Sequence, residues 1–310
     1  MNFKIALPLL LLLAISAPTQ AQQKKAKKAK PTMADFKWVN PPTKWQIANI
    51  IPKGVSHHTF KSESMSLDVG YYIYLPDAYE KRTQRTFPVV FHLHGGRPGS
   101  EAKSFKLATF VDAAIKAGEI QPTIYVFPNG GPMSWYNYPQ ITNGFGEDVF
   151  VNELIPHLKD TYRTREMAIE GFSQGGRGAT RIMFRHPHLF TSAAPGGSGY
   201  EPEKRIQEND GAENEKVVFA PRYNTWDLAE DYAMREDKAG LPILLWCGTA
   251  GFNHEFNLKF SDHLTDLGVS HETLMAKDVG HSATGNYEET GTSLMQFHQR
   301  YFAQPKMPKR

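Results

Sequence analysis

Seven short apolar runs, each punctuated by glycine, proline or serine and separated by helical patterns, constrain this chain more than any other feature. They are DVGYYIYLP (Asp68 to Pro76), FPVVFHLHGG (Phe87 to Gly96), TIYVFPNG (Thr123 to Gly130), MAIEGFS (Met167 to Ser173), FTSAAPGGS (Phe190 to Ser198), LPILLWCGT (Leu241 to Thr249) and ETLMAKDVG (Glu272 to Gly280). Several are continuously apolar and do not alternate, which is the pattern of strands buried on both faces of a mostly parallel sheet. Between them, EDVFVNELIPHLKDTY sets Val149, Val151, Leu154, Ile155 and Leu158 near one side of a helix. EFNLKFSDHLTDLG spaces Phe256, Phe260, Leu264 and Leu267 at helical intervals and stops at Gly268, and a last helix is expected near Glu289 to Phe302. Strand and helix repeated in this way predict an α/β fold, a doubly wound and mostly parallel sheet with helices on both faces. One domain over residues 55–303 accounts for the whole pattern, and roughly 270 residues are enough to bury its core. The aromatic stretch SWYNYPQITNGFG, residues 134–146, reads as a lining for a site or as a cover for the sheet.

The ends of the chain have a different character. Lys4, an apolar run from Ile5 to Ile15 and small or polar residues up to Ala21 read as a secretory signal cleaved after Ala21; the run is short for a membrane anchor. Residues 22–54 follow as a lysine-rich leader and extension, with five lysines in the seven positions 24–30, and residues 304–310 form a basic tail. Without Lys4 and those five lysines, the 35 basic residues fall to 29 against 32 acidic ones. The positive charge therefore belongs to the leader, and nothing points to a nucleic-acid partner or to stable membrane insertion. The expected location is secreted or periplasmic. Cys247, the one cysteine, lies in an apolar run and reads as a small buried hydrophobe, so the protein has no internal disulfide. The sequence carries no signal of oligomeric state.

GFSQG, residues 171–175, fits G-x-S-x-G. By residue frequencies alone this pattern arises in roughly one chain in ten of this length, so its context carries the argument. The apolar strand MAIEGF enters it and the helical RGATRIMFRH leaves it, as in a nucleophile elbow, where side chains two residues either side of the serine would strike the turn. A serine hydroxyl needs a base, and in this topology the histidine follows the last strand. Among twelve histidines, His281 in KDVGHSATG stands there. Oxyanion donors are expected from the N–H of Gln174, the residue after the serine, and from the loop after an earlier strand, where HLHGG offers Gly96. His92 and His94 would share one strand face, but without a nearby Cys, Asp or Glu they do not suggest a metal, and no cofactor is implied.

In this order YYIYLP, HLHGG, EDVFVNELIPHLKDTYRT, IEGFSQGG, LPILLWCGT and GHS resemble the esterase branch of the α/β-hydrolases. That branch includes feruloyl and acetylxylan esterases, siderophore esterases and S-formylglutathione hydrolase. The resemblance runs from about Val55 to Phe302 and implies Ser173 as nucleophile, His281 as base, and Gly96 and Gln174 as oxyanion donors. One departure stands out: where relatives carry G-T-x-D followed by asparagine six residues on, this chain reads GTAGFNHEFN, keeping Asn257 but placing Gly251 at the aspartate.

Glu255 is the first candidate to supply the missing acid, four residues further on, although a glutamate near a helix N-terminus is favoured by the dipole alone. Glu201, after the preceding strand, is the second, and Asp278 is too close in sequence to His281 to orient its ring. The resulting expectation is a serine carboxylic-ester hydrolase working through an acyl-enzyme on a small or polysaccharide-linked ester. The same Ser–His machinery would also serve an acyltransferase, and the absent aspartate leaves open a non-catalytic glycan- or partner-binding protein.

Overall fold

Long apolar runs end up inside a single sheet. The computed structural model describes residues 35–208, 212–214, 217–218, 220–236 and 240–303. Its strands are β1 (Val55–Ser62), β2 (Leu67–Tyr74), β3 (Phe87–Leu93), β4 (Ile124–Pro128), β5 (Thr164–Phe172), β6 (Ser192–Gly196), β7 (Ala212–Asn214), β8 (Val217–Val218), β9 (Leu244–Gly248) and β10 (Glu272–Ala276). Eight of these pair in the order β1-β2-β4-β3-β5-β6-β9-β10, while β7 and β8 form a separate ribbon. β2 alone runs against the others, being antiparallel to both β1 and β4. Every residue of β3, β4, β6 and β9 is buried, so apolar residues are required at successive positions and not at alternate ones.

The helices are α1 (Lys44–Asn49), α2 (Asp77–Lys81), α3 (Ala108–Lys116), α4 (Gly146–Asp148), α5 (Ile155–Thr161), α6 (Gln174–Arg185), α7 (Tyr200–Glu208), α8 (Thr225–Met234), α9 (His254–Asp266) and α10 (Ala283–Gln299). On one face of the sheet Phe87, Val89, Phe91 and Leu93 of β3 pack with Leu158 of α5, Ile182 of α6, Trp226 of α8 and Phe260 of α9. On the other, Val90 packs with Val111 of α3 and with Tyr287 and Leu294 of α10. The two sets follow the period-two alternation of a strand, with helices covering both sides as the sequence pattern predicts.

Four features differ from the sequence reading or lie beyond it. β1 was not among the expected strands: at the sheet edge it buries only Phe60 and Ser62, so it carries little apolar signal. The helix expected over residues 147–162 is present, but Val149–Leu154 forms a wider π-helical stretch between α4 and α5. Pro156, at the start of α5, has no N–H to give to a preceding turn, which accounts for that irregularity. The extension before Val55 is built into the domain, with Trp38 buried in the core and its carbonyl accepting from Gly70 N at 2.8 Å. The expected signal at 1–21, the lysine run at 24–30 and the tail at 304–310 lie outside the described residues. No helix among the described residues is long and apolar enough to cross a membrane.

Candidate active site

β5 enters the centre of the sheet, paired by β3 and β6, and hands over to α6 through Ser173. Ser173 has φ 62° and ψ −116°, a region that costs a non-glycine residue roughly 1–3 kcal/mol and persists only where its surroundings hold it. Its N–H donates to Gly196 O at 2.8 Å, and its carbonyl accepts from Arg177 N at 3.1 Å. Close packing explains the flanking glycines: a Cβ on Gly175 would strike the carbonyl oxygens of Leu93 and His94, and one on Gly171 would strike that of Gly175.

The loops after β9 and β10 are stitched together, with Ala250 N donating to Val279 O at 2.9 Å and Asp278 N to Thr249 Oγ1 at 2.8 Å. His281 follows, and its Nε2 lies 3.0 Å from Ser173 Oγ. If the serine donates, Nε2 is the accepting nitrogen and the ring proton sits on Nδ1. The imidazole lies between Phe172 and Phe252, with ring centroids at 4.7 and 4.2 Å. Desolvation in this setting lowers its pKa below the ordinary 6.5, favouring the neutral form that can take a proton.

Among the described residues, no carboxylate hydrogen-bonds to His281. Glu255, the first choice for the acid, does not reach it: α9 begins one residue earlier, and Glu255 is exposed in its first turn, where the helix dipole favours an acid. Glu201 is engaged elsewhere, accepting from Lys259 Nζ at 2.9 Å. Gly251 does stand at the histidine: an ideal Cβ there would lie 3.4 Å from His281 N. Asn257, the retained asparagine, ties α9 to the loop after β6, accepting from Ser198 N at 3.2 Å and donating to Ser198 O at 3.0 Å.

The HLHGG loop lies flush against the elbow, with no room for a Cβ on Gly95 between Phe172 O and Ser173 Cβ. Gly96 is next, exposed and at φ 72°. Gln174 is the first residue of α6, so its N–H has no acceptor within the helix and points along the positive end of the dipole. The HLHGG loop and the N-terminus of α6 thus both adjoin Ser173.

Sequence reasoning missed what holds this loop. His94 is buried, its Nδ1 donates to Gly95 O at 3.2 Å, and its Nε2 accepts from Gly130 N at 3.1 Å and Ser100 N at 3.3 Å. Burial first, then the neighbouring charge of Lys103, lowers its pKa to about 3, so it is a neutral ring spanning three backbone groups. Trp135 Nε1 donates to His94 O at 3.0 Å and Ser134 Oγ to Gly96 O at 2.5 Å, from two consecutive residues at φ 74° and 47°. The aromatic stretch after β4 thus buttresses the loop, over a separation of some forty residues that no local pattern reveals.

His92 and His94 do not share a face. β3 ends at Leu93, after which His94 meets Trp135, whereas His92 faces α10. There His92 Nδ1 lies 2.6 Å from Glu170 Oε1, which also accepts from Tyr287 OH, and His298 Nε2 stands 3.4 Å from Oε2. Burial raises the Glu170 pKa, but bonds and charge from His298 and His92 outweigh it and hold the carboxyl at about 2. No carboxylate neighbours His92 in sequence, yet the adjacent strand delivers one.

Fold and site define an α/β-hydrolase with a serine–histidine pair at its elbow. The chain matches the family model named Esterase, described as Putative esterase, over residues 62–262, and it belongs to that family. Esterase Rv1288 of Mycobacterium tuberculosis (strain ATCC 25618 / H37Rv) is 30% identical over 146 residues, or 44% of this chain and 31% of the relative. The alignment thus spans under a third of that protein's length. Among solved structures, a ferulic acid esterase superposes with a TM-score of 0.62 at 23% identity, covering 80% of this chain and 98% of its own. S-formylglutathione hydrolase from Agrobacterium tumefaciens gives 0.64 at 17%, covering 80% and 95%. At these identities the likeness is one of fold.

Proposed function

We propose that this esterase-family protein is an exported serine carboxylic-ester hydrolase that forms an acyl-enzyme on Ser173. The observation that carries the reading is the strained Ser173 at the end of β5 with its Oγ 3.0 Å from His281 Nε2. His281 takes the hydroxyl proton as Oγ attacks the ester carbonyl. The Gly96 and Gln174 N–H groups receive the oxyanion, and His281 returns the proton to the departing alcohol. Water, activated by the same imidazole, then releases the acid. Export by the signal at 1–21 and the family's range together favour an acyl group on polysaccharide, or another small ester, as substrate. Among the described residues no carboxylate bonds to the imidazole, and its ring neighbours are Phe172 and Phe252.

Steady-state turnover of short nitrophenyl esters tests the reading. Ser173→Ala and His281→Ala should each lower kcat by at least about a thousandfold with unchanged folding. Wild-type turnover in Ser173→Ala overturns it. Adding an acceptor alcohol and analysing products separates hydrolysis from acyl transfer. That no carboxylate among the described residues bonds to His281 favours a second reading, a hydrolase-fold protein that binds an ester or glycan without turnover, and that reading predicts binding with no product in either assay.

A further inference from the structure

The loop that presents Gly96 is held through its carbonyls. Besides the bonds to His94 O and Gly96 O, the Lys103 ammonium donates to Gly95 O at 3.1 Å and to Pro98 O at 2.7 Å. Gly95 O also accepts from His94 Nδ1 at 3.2 Å. The oxygen of Gly95 and the N–H of Gly96 belong to the same peptide unit. Donors on the oxygen draw electron density through the amide, so the N–H at its other end becomes a stronger donor; hydrogen bonds in series polarise one another in this way. A cationic donor does so more than a neutral one, since charge-assisted bonds are roughly twice as strong.

We propose that Lys103 is a positioning residue for the ester-hydrolase reaction, polarising the Gly95–Gly96 peptide so that its N–H meets the developing oxyanion as a charge-assisted donor. The inference rests on the reading of Ser173 as nucleophile and Gly96 as oxyanion donor. Lys103 ends a short 3-10 turn, Glu101–Lys103, and among the described residues no carboxylate pairs with it, so its charge is directed at the two carbonyls. The residue as a whole is exposed, but its ammonium is desolvated against the loop, which lowers its pKa to about 8 and still leaves it charged at neutral pH. A Cβ on Gly96 would lie 3.4 Å from that nitrogen, so the charge is adjacent to the donor itself. Glu101, two residues before it, does not neutralise it, being turned the other way onto His57, Asn40 and Asn129.

Lys103→Gln, which keeps a donor but removes the charge, Lys103→Met, which removes both, and Lys103→Arg, which keeps both, separate polarisation from simple stapling of the loop. The expected result is a loss of about 10- to 100-fold in kcat for Gln and Met with KM within about twofold, and rates within about fivefold of wild type for Arg. Inhibition by a trifluoromethyl ketone, which forms an oxyanion adduct on the serine, should weaken by the same factor as kcat/KM. If Met fails to fold, the Gln-to-Arg comparison decides alone. Wild-type kcat in Lys103→Gln, or a loss confined to KM, overturns the proposal. If Ser173→Ala is inactive while Lys103→Gln is unimpaired, the peptide-polarising role alone falls; if Ser173→Ala turns over normally, the functional reading falls with it.

Discussion

Replacing Gly251 with aspartate puts a carboxylate beside His281, to which no carboxylate among the described residues bonds. The backbone permits it: Gly251 is half-buried, and an ideal Cβ would lie 3.4 Å from His281 N, 3.6 Å from Gly280 C and 3.1 Å from Gly248 O. The last contact is tight and must yield by a few tenths of an ångström, a strain of about 1 kcal/mol, or roughly 2–4 °C in Tm for a domain of this size. The gain is on the rate. In serine hydrolases, loss of the orienting aspartate costs about 10⁴ in kcat, because the imidazole loses its tautomer and its imidazolium loses a counter-charge. A carboxylate introduced without supporting bonds should recover part of this, about 10- to 1000-fold in kcat/KM, or about 1.4–4 kcal/mol of transition-state stabilisation. It should also raise the pKa of His281, since a neighbouring anion favours the charged ring. Turnover of nitrophenyl acetate across pH, with Gly251→Asn as the uncharged control of equal shape, measures both effects. A folded Gly251→Asp variant with an unchanged rate and an unmoved acid limb would refute the idea that the missing acid limits this site.

Further outcomes follow from the same geometry. The proposed role of His281 as base requires a neutral ring, and burial holds its pKa below 6.5, so the acid limb of wild-type kcat/KM should fall below pH 6.5; a limb above that value contradicts the desolvated ring. Glu255→Gln and Glu201→Gln should each keep kcat within about twofold, since neither carboxylate bonds to His281, and a collapse in either would identify it as the acid after all. Glu170→Gln should destabilise the protein by about 3–5 kcal/mol in urea titration, because it removes the carboxylate at the centre of a buried polar network with His92, Tyr287 and His298. The sign of its pH dependence follows from a folded pKa of about 2 against 4.5 unfolded: the carboxylate's contribution is present above pH 4.5 and lost as pH falls towards 2. Wild-type stability should therefore drop more steeply than that of Glu170→Gln over this window, and equal slopes would show that Glu170 is not ionised in the fold.

What was legible in the sequence was local. The strand-to-helix context of GFSQG forecast the strained Ser173, GHS after the last strand forecast His281, and HLHGG forecast a loop against the elbow, because each depends on a few consecutive residues and on the fold's topology. The acid was not legible, because reaching His281 depends on how the chain turns after β9. α9 starts at His254 and sends Glu255 to solvent, a difference of a single residue in where the helix begins. β1 was missed for a related reason: an edge strand that buries two side chains has no need of the apolar run that marks a central one. The supports of the HLHGG loop, Trp135, Ser134 and Lys103, act through side-chain bonds to backbone carbonyls, which leave no periodic trace. Glu170 has no local sequence signal, and the register between β3 and β5, which sets His92 opposite Glu170, gives it a partner.

The central claim is a covalent intermediate on Ser173, and rapid acid quenching of the protein with a slow ester, followed by intact-mass measurement and peptide mapping, tests it most directly. The account predicts one acyl group per chain, mapped to the peptide containing Ser173, absent in Ser173→Ala and accumulating far more slowly in His281→Ala. Turnover of the ester with no adduct at Ser173, or an adduct that persists in Ser173→Ala, would contradict it.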